Sequence, residues 1–307
     1  MMKLLQLYLP LIALVLSGFV LGGKLPATIP FYLGQFLFWV GVPFSIMAFL
    51  RQADLSGAIW VAPIVAWVAI FLGGGLAWVW IYWHSQKTAR NSWCKPTQGS
   101  FILAAMVGNT GYLGYPVTLA FVGTQYFGYA LFYDLLGTTL GAYGLGVVLA
   151  AAYGGGGKSQ WQLVKEVAIN PSLWSFGTGL LFRQVPLPTL AETTLQALGW
   201  VIVALSLVLI GMRLRGLNSW HSLPKASISL SIKMLVVPLL LGCSLSLFGL
   251  TGAAKLAIIL QMAMPPAFAT LVIAEVYNLD RDLSVTALAV GSGGLLVTLP
   301  IWLWLFS

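Results

Sequence analysis

Long apolar runs, separated by short polar or glycine- and proline-bearing breaks, fill this chain from one end to the other. The runs are continuous rather than alternating with period two, so they predict helices and not the strands of a membrane barrel. About 20 apolar residues cross a bilayer as helix. The hydropathy pattern yields about ten such runs, near 4–22, 31–50, 57–83, 99–124, 126–153, 170–184, 189–212, 226–248, 252–276 and 282–306. The sixth is short for a span. The first is too long for the core of a cleaved signal, and no small-x-small site follows it before Lys24, so it reads as the first membrane helix.

Two of the runs are interrupted near their middles. The fourth contains Asn109-Thr110-Gly111-Tyr112-Leu113-Gly114-Tyr115-Pro116, and the ninth contains Gln261-Met262-Ala263-Met264-Pro265-Pro266. Backbone groups freed at such a break cost several kcal/mol each in hydrocarbon, so the break must face protein, water or a ligand. Paired interruptions in corresponding places of two halves point to a transporter's binding site.

Composition agrees with the pattern: 59% of residues are apolar and 7% charged, against about 25% charged in soluble domains. The formal charge of +8 is distributed by side. With ten spans, Lys24, Lys87, Arg90, Lys95, Lys158, Lys165, Arg213, Arg215, Lys225 and Arg281 fall on one face, against Lys3, Arg51, Arg183 and Lys255 on the other. The basic face is expected to be cytoplasmic, which puts both termini outside in a multi-pass protein of the plasma (inner) membrane. The charge thus speaks of orientation in a lipid bilayer and not of a nucleic-acid partner. Cys94 and Cys243 are isolated and form no disulfide framework.

Gly154–Gly157 and the polar stretch that follows divide the chain into a five-helix repeat over 1–153, a cytoplasmic linker over 154–169 and a second five-helix repeat over 170–307. In the linker Trp161, Val164 and Ala168 suit one face of a surface helix, and a plain connector suits the residues equally. Halves with an odd number of spans have opposite orientations, so the expected fold class is all-α polytopic: ten transmembrane helices as two inverted repeats with broken, crossing fourth and ninth spans. Sliding the first half by 154 residues superimposes the two breaks and sets Gly137 on Gly291.

At about 1.5 Å per residue, Asn109 lies roughly 15 Å into the fourth span and Pro265 at a similar depth in the ninth, near the middle of the hydrocarbon. The second half of each broken span would then begin at the midplane, so two helix N-termini of about +0.5 charge face one another. Pro116 and Pro266 suit first-turn positions, and Gly111 and Gly114 allow close approach of a ligand. Such a place favours an anion, most naturally a carboxylate. Asn109 and Thr110 would cap their half-helix or donate to substrate. The other reading, that Asn, Gly and Pro merely kink two helices for packing, is weakened by the equal depth of the two breaks. Substrate candidates are therefore Asn109, Thr110, Gly111, Gly114, Pro116, Met264, Pro265 and Pro266. Tyr112, Tyr115 and Thr270 are secondary.

Ionisable and polar residues within spans come next. Asp134, in the fifth span, should face a cavity or a partner, as a coupling-ion or proton site or as a hydrogen-bonding group. Lys233, in the eighth, is expected to snorkel to the cytoplasmic surface, with pairing to Asp134 or to substrate as the sharper alternative. Glu275 is expected at the cytoplasmic interface, with ion binding as the alternative, and Gln261 flanks the second break as a secondary site candidate for coupling or charge pairing. Asp134 is the only deeply placed carboxylate, His84 and His221 fall in expected loops, and no His or Cys cluster has metal-ligand spacing, so enzyme chemistry and a metal centre are not expected. No cofactor is implied beyond coupling Na+ or H+.

At these residues the chain resembles the auxin efflux carrier family, which includes bacterial organic-acid permeases and plant auxin exporters. Asn109-Thr110 followed by Gly114-Tyr115-Pro116 and Gly123 resembles that family's fourth-helix pattern. Ala263-Met264-Pro265-Pro266 followed by Ala274-Glu275-Val276-Tyr277-Asn278 is similar to its ninth-helix signature, and Asn170-Pro171 matches a weaker third pattern. The resemblance implies a fold like that of the sodium/bile-acid symporters. Spans one, two, six and seven would form a scaffold, often homodimeric, and spans 3–5 and 8–10 a transport domain. The linker is far shorter than the regulated loop of the plant exporters. The function expected is secondary transport of a small organic anion, a carboxylate, outward in direction because the membrane potential favours it, with an anion channel or a membrane receptor as the alternative.

Overall fold

The computed structural model describes residues 2–26, 28–87, 93–154, 168–169, 171–215 and 222–306. Arg90, Lys158, Trp161, Val164, Lys165, Asn170 and His221 lie outside the described residues, as does most of the expected linker. Among the described residues the chain is all-helical, with one isolated β-bridge. The helices are α1 (Met2–Lys24), α2 (Ile29–Leu50), α3 (Val61–Lys87) and α4 (Lys95–Met106). Next come α5, a π-helical stretch Thr110–Gly114 running into the α-helix Tyr115–Phe121, and α6 (Thr124–Gly154). The remainder are α7 (Pro171–Phe182), α8 (Thr189–Leu214), α9 (Leu223–Leu245), α10 (Gly252–Met262), α11 (Phe268–Val276) and α12 (Arg281–Phe306). Six of them, α2, α3, α6, α8, α9 and α12, are long and apolar enough to cross a membrane. Because α3 runs on to Lys87, His84 lies in its last turn rather than in a loop.

The outer surface is itself apolar: Phe31, Trp39, Ile64, Phe71, Trp78 and Trp304 are all exposed. A soluble protein does not tolerate so broad an apolar exterior; in lipid it is the solvent-matched face. Apolar side chains gain little by packing on one another there, so helix association relies on close backbone approach through small residues. The α1–α8 pair does this. A methyl group on Gly18 would run into the carbonyl of Val208, and one on Gly211 into the carbonyl of Val15. The four-residue spacing of Gly18 and Gly22 repeats the contact one turn on, against Met212. Helix α2 packs on α7 and on α8. Its end is tied down by Arg51, whose Nε donates to Glu192 Oε2 at 3.0 Å, Nη1 to the Phe182 carbonyl and Nη2 to the Val185 carbonyl. The carbonyls of Phe182 and Val185 lie at and just beyond the end of α7, so one guanidinium adds donors to that helix end.

Helices α3, α4, α6, α9 and α12 pack around the two interrupted segments. In the second of these segments Gln261, Met262, Ala263 and Met264 have no exposed surface.

Candidate functional site

Helix α4 stops at Met106 because Val107 turns extended, with φ −104° and ψ 116°. Helix α10 stops at Met262, and the chain becomes helical again only after Ala267, which is also extended. Between these ends the two segments cross and pair. Gly108 lies opposite Pro266 as an antiparallel bridge, the Asn109 N–H donates to the Pro265 carbonyl at 2.7 Å, and the Ala267 N–H donates to the Val107 carbonyl at 3.0 Å. Backbone groups released by breaking two helices thus satisfy each other.

The breaks are shorter than the sequence pattern implies. Helix resumes at Thr110, so Gly111, Gly114 and Pro116 lie inside α5, with Pro116 in the first turn of its α-helical part. A π turn, closed by the Gly114 N–H on the Asn109 carbonyl, holds the residues expected to be irregular. Pro266 departs from its expected first-turn position. It stands one residue before the N-cap Ala267, inside the bridge. In an antiparallel pair of this type the bonds come from the flanking residues, so the missing N–H of Pro266 leaves nothing unpaired.

A cavity of about 390 Å³ opens beside the crossover, at the starts of α5 and α11. Of the expected substrate residues, Asn109, Thr110 and Gly111 line it, and so does Asp134. Asn109 is 9% exposed, takes φ −81° and ψ 64°, and makes no side-chain cap bond to α5. Asn109 therefore lines the cavity without capping its own helix. The far wall comes from α11 (Phe268, Val272), and α2 closes a third side with Gln35 and Trp39. The sequence pattern does not single out Gln35, Thr138, Tyr143 or Ser172, which also line the space. Gln35 carried the one readable signal, an amide within the first two turns of an apolar span.

Asp134 sits in a π-helical stretch of α6, Tyr133–Thr139, and is nearly buried. Its Oδ1 accepts from Thr110 Oγ1 and its Oδ2 from the Tyr115 hydroxyl at 2.6 Å. Both donors belong to α5, so the carboxylate latches α5 to α6. Gly111 makes room for it: a methyl group there would lie 3.3 Å from Oδ2.

Tyr112, a secondary candidate, also lines the cavity, and the other expected residues lie away from it. Gln261 is fully buried and donates from Nε2 to Thr118 Oγ1 at 2.9 Å, and Gly114 leaves space for its amide, which a methyl group would strike. Met264 and Pro265 are crossover backbone, and Pro265 and Pro266 pack on Gly291 of α12. Gly137, the residue that a shift of 154 sets on Gly291, packs instead against Ala66 of α3. Thr270 turns back on the Ala267 carbonyl. Glu275 is exposed and pairs with Arg281 at 2.7 Å. Lys233 does not snorkel. It is 2% exposed and donates from Nζ to the Met262 carbonyl at 2.6 Å, because the end of α10 offers an unbonded carbonyl nearer than the surface. It forms no ion pair with Asp134.

Apolar helices with a lipid-matched exterior, packed around two broken segments that pair at a buried crossing beside a cavity of mixed apolar and polar lining, define a membrane transporter. Comparison with known proteins agrees. A family model described as "Membrane transport protein" matches residues 157–303. The chain is 30% identical over 299 residues to an uncharacterized transporter of Methanothermobacter thermautotrophicus, covering 96% of this chain and 95% of that one. It is also 27% identical over 215 residues to an uncharacterized transporter of Methanocaldococcus jannaschii, covering 67% and 68% of the two chains. The chain belongs to this membrane transport protein family, that of the auxin efflux carriers, and is a multi-pass integral membrane transporter rather than an enzyme.

Proposed function

We propose that this transporter carries a small organic anion, a carboxylate, out of the cytoplasm by alternating access at the crossover. The observation that carries this reading is the cavity onto which the starts of both α5 and α11 open, with the uncapped Asn109 amide on its wall. Helix starts present N–H groups and partial positive charge, which suit a carboxylate. The nearby negative charge of Asp134 is engaged by the donors from Thr110 and Tyr115. An inside-negative potential supplies about 2.3 kcal/mol per charge per 100 mV, so a monoanion leaves the cell without a coupling ion.

In this reading the chain has ten spans in two inverted five-helix repeats in the plasma membrane, with both termini outside. The scaffold is α1, α2, α7 and α8, which also offers a face for a homodimer, and the remaining helices move as the transport domain. The packing of α1 on α8 and of α2 on α7 and α8 supports that partition. The cavity between α2 and the crossover lies where a sliding boundary would pass.

The test is carboxylate flux into and out of proteoliposomes. The wild-type protein is expected to give saturable flux with trans-stimulation, and Asn109→Ala to abolish it while keeping the thermal midpoint. Wild-type rates in that variant would sink the site assignment, and unitary currents in a planar bilayer would make the protein a channel.

A further inference from the structure

The crossover has two electrically opposite sides. The starts of α5 and α11 line the cavity, whereas Met106 and Met262, the last residues of α4 and α10, do not. A helix C-terminus carries about −0.5 charge and unbonded carbonyl oxygens. In carriers built from broken helices, such ends and the unwound carbonyls beside them are where a coupling cation is held. Here that place is filled. The Lys233 ammonium donates to the last carbonyl of α10, at Met262. It also lies against Gly108, just past the end of α4. A methyl group on Gly108 would be 3.2 Å from Nζ and 3.4 Å from the Met264 carbonyl oxygen.

Among the described residues no carboxylate neutralises Lys233. Among the described residues it forms no ion pair, and the ion pairs present are Arg51–Glu192 and Arg281–Glu275, on other elements. The helices packed against its π stretch Ile232–Val236 are α3, α4, α12 and the rest of α9. Their other charged residues lie at or near their ends: Lys87, Lys95, Lys225, Arg281 and Asp282. A buried ammonium with no carboxylate partner needs an electrostatic reason to be there. Two helix C-termini supply one.

We propose that Lys233 is a tethered cation, occupying with its ammonium the carbonyl-lined place that a sodium ion would otherwise take, so that the carrier works without sodium. This rests on the anion-carrier reading where flux is concerned, and on the crossover geometry alone where stability is concerned. Tethering removes the entropy loss of capturing an ion in each cycle and makes the crossover permanently charge-balanced. It also leaves transport of a monoanion electrogenic, which matches outward movement driven by the membrane potential.

The experiment compares wild type with Lys233→Ala in sodium, methylammonium and choline chloride at one ionic strength, reading thermal midpoint and carboxylate flux. The wild-type protein is expected to be indifferent to the choice of cation in both readouts. Lys233→Ala is expected to melt lower and to lose roughly tenfold or more of its flux in choline, as befits removal of a buried charge partner. Sodium or methylammonium is expected to restore both, saturating with concentration as binding to the folded state requires; choline is too large for the place. A wild-type protein stabilised or accelerated specifically by sodium overturns the proposal, and that arm holds even where the variant does not fold. A variant that no small cation rescues makes Lys233 a plain strut and overturns it too. If the melting arms behave as expected but no carboxylate is carried, the anion reading falls and the tethered cation stands.

Discussion

Gly108 and Pro266 face one another as an antiparallel pair, flanked by the bonds from Asn109 N–H to the Pro265 carbonyl and from Ala267 N–H to the Val107 carbonyl. A membrane interior offers no water to unpaired backbone, so each broken helix supplies the partner that the other lacks. Gly108 is confined by the Lys233 side chain on one side and Met264 on the other. Gly108→Val is therefore expected to force the two strands apart and to cost about 1–3 kcal/mol, as overpacking of a full site does. A lowered thermal midpoint with lost flux checks this; an unchanged midpoint would mean that the bridge is not a constraint.

Asp134 holds α5 through Thr110 and Tyr115. Replacing it by Asn keeps the shape and removes the charge assistance of two hydrogen bonds, with an expected loss of about 1–2 kcal/mol. Saturable flux is expected to survive in Asp134→Asn, since its oxygens serve the latch. A variant of full stability whose flux loses its dependence on pH would instead make Asp134 a proton carrier. Flux against pH and thermal melting, measured on the same preparation, separate the two.

Gly114 and Gln261 form a second coupled pair. Gly114→Ala sets a methyl group against the Gln261 amide and is expected to cost about 1–3 kcal/mol. In a Gln261→Ala background that cost should shrink. A double-mutant cycle reads the difference, and simple additivity would show that the two do not touch in the working protein.

Arg51 is the anchor of α2. Arg51→Ala removes the guanidinium donors of Glu192 and of the carbonyls of Phe182 and Val185, of which Phe182 keeps the Val185 N–H, and about 2–4 kcal/mol of stability is expected to go with it. Arg51→Lys should recover only part, because a single ammonium cannot reproduce the planar fork. Thermal melting in detergent ranks the three proteins.

Where α1 meets α8, Gly211→Leu would need the space occupied by Val15 and Gly18 backbone. Separation of the two helices, with a loss of roughly 3 kcal/mol or more, is expected from the size of the insertion. Retention of the wild-type midpoint would show that α1 is not fixed there.

Hydropathy runs placed nearly every helix to within a few residues, because length and apolar content are local properties that lipid imposes directly. The expected run 252–276 became α10 and α11, and 99–124 became α4 and α5, split where Asn, Gly and Pro had marked them. The same composition made the multi-pass membrane class legible, and the family patterns around Asn109 and Pro265 pointed to a transporter. What the sequence could not decide was which side of the crossing each residue would take. Asn109 and Thr110 face the cavity while Gln261, Met264 and the two prolines become buried joinery, and Gln35 reaches the cavity from a helix more than 70 residues away in the chain. Lys233 shows the limit most clearly. Its distance from a helix end suggests a side chain reaching for the surface, and only the fold brings the open carbonyl of Met262 within its reach. Lipid selects for runs of residues, whereas pairing of buried charge with buried dipole depends on which distant segments happen to meet.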